Sequence, residues 1–161
     1  AAAGLALGDM GGLKGRGERH QVPARGGTAL LIDESYNANP ASMAATLRSL
    51  GEEAVEGRRL AVLGSMLELG DHSDEAHAGL APAIREARVA EVILVGEAMR
   101  PLLEALGADV HAVLVPDAAA ATDALWQRLG PGDAVLVKGS NGIGLAKLVS
   151  QVAGGAATCS T

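Results

Sequence analysis

The chain has 161 residues, 48% of them hydrophobic, and carries 13 Lys and Arg against 19 Asp and Glu, for a formal charge of -6. Its basic residues are scattered rather than striped, and Tyr36 and Trp126 are its only aromatics. This speaks against nucleic acid as a partner. The single cysteine, Cys159, excludes an internal disulfide framework or a cysteine zinc site and fits a reducing, cytoplasmic setting.

Residues 1–10 read as the end of an Ala-rich helix that stops at Gly11-Gly12. This apolar opening lacks a basic leader and is too short to span a bilayer, so no membrane insertion is expected. The absence of an initiator methionine points to a start inside a longer parent. The Gly-punctuated stretch Lys14–His20 reads as a domain edge.

Beyond it, short apolar runs alternate with helical patterns. Ala29–Ile32 reads as a buried strand, and Asn39-Pro40 opens a helix to about residue 51, with Asn39 as its cap and Met43, Leu47 and Leu50 on one face. Leu60–Leu63 is strand-like, residues 73–89 helical with Ser73 as N-cap, Val92–Val95 strand-like and residues 97–106 helical. Val110–Val115 reads as a strand, Asp117–Leu129 as a helix, Ala134–Val137 as a strand and Ile143–Val152 as the last helix. Strands apolar on both faces, each followed by a helix, predict an α/β fold: a Rossmann-like, doubly wound, mostly parallel sheet of about five to six strands, with helices on both faces. A closed eight-unit barrel would need roughly 250 residues.

Such sheets bind ligands beyond the carboxyl ends of their strands, where the strand order reverses. Three of these ends are polar or Gly-rich. Gly139–Gly144 follows a strand and opens a helix, so its backbone could cradle an anion, although a merely tight loop would use the same glycines. Lys138 directly precedes it, where it could neutralise a carboxylate or phosphate or simply snorkel. Asp33–Pro40 places two carboxylates, a phenol and two carboxamides together. His72 and His77 are five residues apart, against the i,i+4 spacing of helical metal ligands, so no metal site is expected there; His77 alone could face the cleft. No G-x-S-x-G is present and Cys159 lies near the chain end, so nucleophilic hydrolase chemistry is not expected.

The string Leu31-Ile-Asp-Glu-Ser-Tyr-Asn-Ala-Asn-Pro-Ala-Ser-Met43 resembles a signature of the Mur ligases. Gly15–His20, Leu63–Gly70 with His77, and Val137–Ser140 resemble three more, in the family's order and spacing. The branch resembled adds D-alanyl-D-alanine to UDP-N-acetylmuramoyl-tripeptide: ATP, with Mg2+, phosphorylates the peptide carboxylate, and the dipeptide amine displaces phosphate from the acyl phosphate. The resemblance implies that residues 1–20 are the end of a central ATPase domain and a linker, 21–155 a C-terminal Rossmann-like domain, and 156–161 a disordered tail. The partners it implies are the two substrates and the N-terminal and central domains of the same parent.

By that resemblance Arg16, Asp33, Tyr36, Asn37 and Asn39 would sit against the nucleotide or line the shared cleft. Lys138, Ser140, Asn141 and His77 would meet the dipeptide, with Met66 and Glu68 as weaker candidates. Two positions depart from the pattern: Glu34 replaces a second Asp, and Asn141 replaces a basic residue. No G-x-x-x-x-G-K-[ST] occurs in the 161 residues, so the chain alone is not expected to catalyse. The alternative is a stand-alone Rossmann-like module that binds a nucleotide or anion without chemistry.

Overall fold

The computed structural model describes residues 17–36, 38–67 and 69–159, and omits side-chain detail for Asn141 and residues 154–159. The expected helix over residues 1–10, the glycines after it, Arg16, Asn37 and Glu68 lie outside the described residues.

Six strands form one sheet: β1 (Glu18–Ala24), β2 (Gly27–Glu34), β3 (Arg59–Gly64), β4 (Val89–Val95), β5 (His111–Val115) and β6 (Ala134–Lys138), in the order β1-β2-β6-β3-β4-β5. All neighbours run parallel except β1 and β2, which form an antiparallel hairpin. The expected Rossmann-like, mostly parallel sheet is therefore present. The strand β1 is a correction: it starts at Glu18, inside the stretch read as a linker. Its Glu-Arg-His-Gln opening carries little hydrophobic signal because this is an edge strand, on which only Val22 is buried.

The helices are α1 (Pro40–Glu52), α2 (Ser73–Ala78), α3 (Ala81–Glu86), α4 (Arg100–Leu106), α5 (Ala118–Arg128) and α6 (Leu145–Cys159). Alternation along the strands divides the core in two. Ile32, Ala61, Leu63, Leu94 and Leu136 pack with Met43, Leu47, Ile84 and Leu102, beneath α1, α3 and α4. Leu31, Leu60, Val62, Ile93 and Val135 pack with Leu125, Leu148 and Val152, beneath α5 and α6. Each central strand feeds both clusters, which is why it reads as continuously apolar.

Two helices differ from expectation. The stretch 73–89 is broken into α2 and α3, because Pro82 has no N–H with which to bond Ala78 and its ring crowds that carbonyl. Arg88, at φ 57°, then turns the chain into β4, which begins at Val89. At the other end α6 runs to Cys159, past the expected stop at Val152 and into the segment expected to be a tail. Among the described residues, no helix is long and apolar enough to cross a membrane.

Strand β6 lies between β2 and β3. The helices after β2 and β3 cover one face of the sheet, and α6, after β6, covers the other. The carboxyl end of β6 thus lies at a topological switch point, the place where sheets of this kind bind their ligands.

Candidate functional site

Three chain segments leave the sheet side by side at this end, after Glu34 of β2, Gly64 of β3 and Lys138 of β6. The structure therefore brings together three of the segments singled out in the sequence.

On the β2 side, Asp33 is buried, and its Oδ1 accepts from both the backbone N–H (2.9 Å) and the hydroxyl of Ser35. This closes the turn and leaves Tyr36, 50% exposed, at the surface. Asn39 caps α1 as expected: its Oδ1 accepts from Ser42 N at 2.9 Å, while Asn39 N donates to Ser42 Oγ at 3.1 Å. Ser42 supplies the return bond that a Glu or Gln usually makes, which is why the sequence did not advertise a capping box.

On the β6 side, Lys138 stands in register with Glu34 on β2 and with Leu63 on β3. Burial lowers the Lys138 pKa, and the Glu34 charge opposes that shift. Burial likewise raises the Glu34 pKa, which the Lys138 charge pulls back down. Each group thus supports the charge of the other across the ends of β2 and β6. A Cβ on Gly139 would lie 2.9 Å from Gly64 Cα, so glycine at 139 is what lets the chain after β6 approach the backbone at the end of β3, while a Cβ on Gly64 would press on Ile143 and Leu145.

The loop after β3 is held from two sides. Met66 N donates to His77 Nε2 at 2.9 Å, and Leu67 N donates to Ser140 Oγ at 2.8 Å. Ser140 N in turn donates to Ser65 O at 3.2 Å. His77 is therefore a correction. It does not face the cleft: it is 0% exposed, and its other nitrogen, Nδ1, lies 2.7 Å from Ser73 O. Ser73 is correspondingly not the N-cap of α2 but its first residue, with Oγ turned towards that ring. Ser140 is buried too, with its hydroxyl oxygen accepting from Leu67. Met66 is buried, whereas Leu67, unremarked in the sequence, is 46% exposed.

Among the described residues, Glu18, His20 and Asp33 form one group of possible metal donors, with ligand atoms within 4.8 Å of one another. Glu18 Oε1 and His20 Nε2 already face each other at 3.1 Å, and Asp33 Oδ1 is occupied by Ser35. An imidazole in the set does not suit magnesium, which takes oxygen ligands.

Three loops at a switch point could belong to many nucleotide-binding sheets; comparison with known proteins narrows the choice. The family described as Mur ligase, glutamate ligase domain, matches residues 15–141. The chain belongs to the Mur ligase family. It is 38% identical over 148 residues to the UDP-N-acetylmuramoyl-tripeptide--D-alanyl-D-alanine ligase of Mycobacterium bovis, an alignment that takes in 79% of this chain and 29% of the relative. The ligase of the same name from Synechocystis sp. is 36% identical over 142 residues, with coverage of 86% and 30%. Among solved structures, MurF from Acinetobacter baumannii superposes with a TM-score of 0.74 at 29% identity, covering 89% of this chain and 31% of that one. The MurF ligase of Thermotoga maritima, in complex with ADP, shares the fold with a TM-score of 0.71 at 22% identity, covering 93% and 33%. This Mur ligase chain thus spans about a third of the length of the relatives it matches.

Proposed function

We propose that this chain is the C-terminal, acceptor-handling part of an ADP-forming ligase that joins D-alanyl-D-alanine to UDP-N-acetylmuramoyl-tripeptide in the making of peptidoglycan precursors in the cytoplasm. The observation that carries this reading is convergence. The segments that follow β2, β3 and β6, separated in sequence, come together at one topological switch point in a chain 38% identical to ligases of that name.

In this reading the parent protein holds ATP and magnesium mainly outside this chain, where a phosphate-cradling loop would supply what these 161 residues lack. ATP supplies the phosphoryl group that activates the peptide carboxylate. The contribution of this chain is orientation. Lys138, in the field of Glu34, provides positive charge for the dipeptide carboxylate, with Ser140 and Asn141 beside it. The exposed Tyr36, with Asn39, lines the edge shared with the nucleotide, on the side of Asp33, and the family resemblance alone adds Arg16 and Asn37 to this set. Holding the amine in line with the activated carboxyl removes the entropic part of the barrier. Without the ATP-binding part, the 161-residue chain is inactive.

An amide-resolved NMR titration with D-alanyl-D-alanine, and separately with magnesium-ATP, tests this. The dipeptide is expected to shift Glu34–Tyr36, Leu67 and Lys138–Asn141 together. In the full parent ligase, Lys138→Gln is expected to raise the KM for the dipeptide at least about tenfold, the scale of a lost charge-assisted hydrogen bond. Shifts confined to the opposite end of the sheet, together with an unchanged KM, would refute the assignment.

A further inference from the structure

We propose, resting on the ligase reading above, that His77 is a positioning residue for the acceptor crevice: its buried imidazole fixes the Met66–Leu67 backbone and, through Leu67 and Ser140, the loop that follows Lys138.

The hydrogen bonds determine the state of the ring. Met66 N–H is a donor, so His77 Nε2 must accept and carries no proton. The ring proton is then on Nδ1, from which it is donated to Ser73 O at 2.7 Å. Both nitrogens are thereby used, and the ring, at 0% exposure, has no face towards solvent. A neutral histidine is the side chain that offers one acceptor and one donor at fixed positions on a rigid ring, which this task requires.

What the ring holds is part of the site. The residue after Met66 is Leu67, whose N–H donates to Ser140 Oγ at 2.8 Å and whose side chain stands exposed. The return bond from Ser140 N to Ser65 O, at 3.2 Å, closes the link between the two loops. Gly142 completes the fit: a Cβ there would lie 2.9 Å from Leu67 Cδ1. The path from His77 to Ser140, two residues beyond Lys138, runs through one hydrogen bond to Met66, the peptide bond to Leu67 and a second hydrogen bond from Leu67. A loosened ring therefore moves the crevice wall before it disturbs the sheet. Removing it also leaves the buried Met66 N–H without an acceptor, which drives the loop to rearrange.

Two measurements test the proposal. On the 161-residue chain, amide exchange is compared for wild type, His77→Phe and His77→Gln, with Val62 and Ile93 as core references. The Gln oxygen can stand where Nε2 stood. In His77→Phe, Met66 and Leu67 are expected to exchange at least about tenfold faster while the core references hold, and His77→Gln is expected to recover much of that protection. In the parent ligase, His77→Phe is expected to raise the KM for D-alanyl-D-alanine several-fold while the KM for ATP stays unchanged, and His77→Gln to restore it. Undiminished protection at Met66 in His77→Phe overturns the proposal, and so does lost protection with an unchanged dipeptide KM. A wild-type parent with no ligase activity on the dipeptide would defeat the functional reading instead, and the exchange result would still decide whether His77 sets the loop.

Discussion

Glu34 and Lys138 are direct neighbours across the parallel pairing of β2 and β6, each the last residue of its strand. Burial disfavours both charges, raising the carboxyl pKa and lowering the ammonium pKa, and the two offset each other only in part. The signs follow directly. A carboxyl whose folded pKa is raised weakens the fold as pH rises from its unfolded to its folded value. An ammonium whose folded pKa is lowered weakens the fold as pH falls from its unfolded to its folded value. Burial of the pair therefore works against stability wherever both groups are charged. In the proposed function this cost is tolerated because the pair serves recognition of the dipeptide.

Replacing Glu34 by Gln removes the opposing charge and leaves the burial of Lys138 in place. The Lys138 pKa is then expected to fall further, as followed by NMR of the Lys side-chain carbon and nitrogen resonances. Addition of D-alanyl-D-alanine should push it back up. An unmoved or raised value in Glu34→Gln would mean that the two charges do not communicate.

Gly139→Ala places a methyl 2.9 Å from both Gly64 Cα and Leu145 Cδ1. Because one of these is backbone, β3 and β6 must separate at their carboxyl ends. A loss of about 1–3 kcal/mol is expected in urea denaturation, together with weaker dipeptide binding. Wild-type stability would show that glycine at 139 is not needed for the close approach.

Asn39→Ala deletes the side-chain half of the α1 cap and leaves Ser42 N without its partner. About 1 kcal/mol should be lost, within the usual range of about 0.5–2. Asn39→Asp, which keeps an acceptor at the cap, should recover most of it. Equal stabilities of the Ala and Asp variants would assign the residue wholly to ligand contact.

Arg19 donates two hydrogen bonds to Glu53, at 3.0 and 2.6 Å, tying the edge strand β1 to the end of α1. The hydrogen bond from Arg19 holds the Glu53 carboxyl below its ordinary pKa, against the opposing effect of burial. A depressed carboxyl contributes stability above its unfolded pKa of about 4.3 and loses it as pH falls through the folded value. Arg19→Ala should therefore flatten the acid limb of the stability curve and change neutral stability by no more than about 1 kcal/mol, since the pair is partly solvent-screened. An unchanged acid limb would show that the pair does not persist in solution.

Much of this architecture was legible in sequence because each signal was local. Met43, Leu47 and Leu50 mark the inner face of α1, and runs such as Leu60–Leu63 mark doubly buried strands. Strand β1 escaped because an edge strand has one open side and few buried positions, and the break at Gly79-Leu80 escaped because helical periodicity continues across it.

The site divides along the same line. That Asp33–Asn39, Leu63–Gly70 and Val137–Ser140 are the segments to look at followed from their motifs and from their places at strand ends. What each side chain does there did not. His77 looks like a ligand in a string of letters, yet both its nitrogens bond within the protein, and Leu67, which the sequence did not single out, stands at the surface. Periodicity and capping involve residues a few positions apart, so composition and order suffice to reveal them. The Glu34–Lys138 pairing and the Leu67–Ser140 bond join residues 104 and 73 positions apart, and exist only once β6 is inserted between β2 and β3.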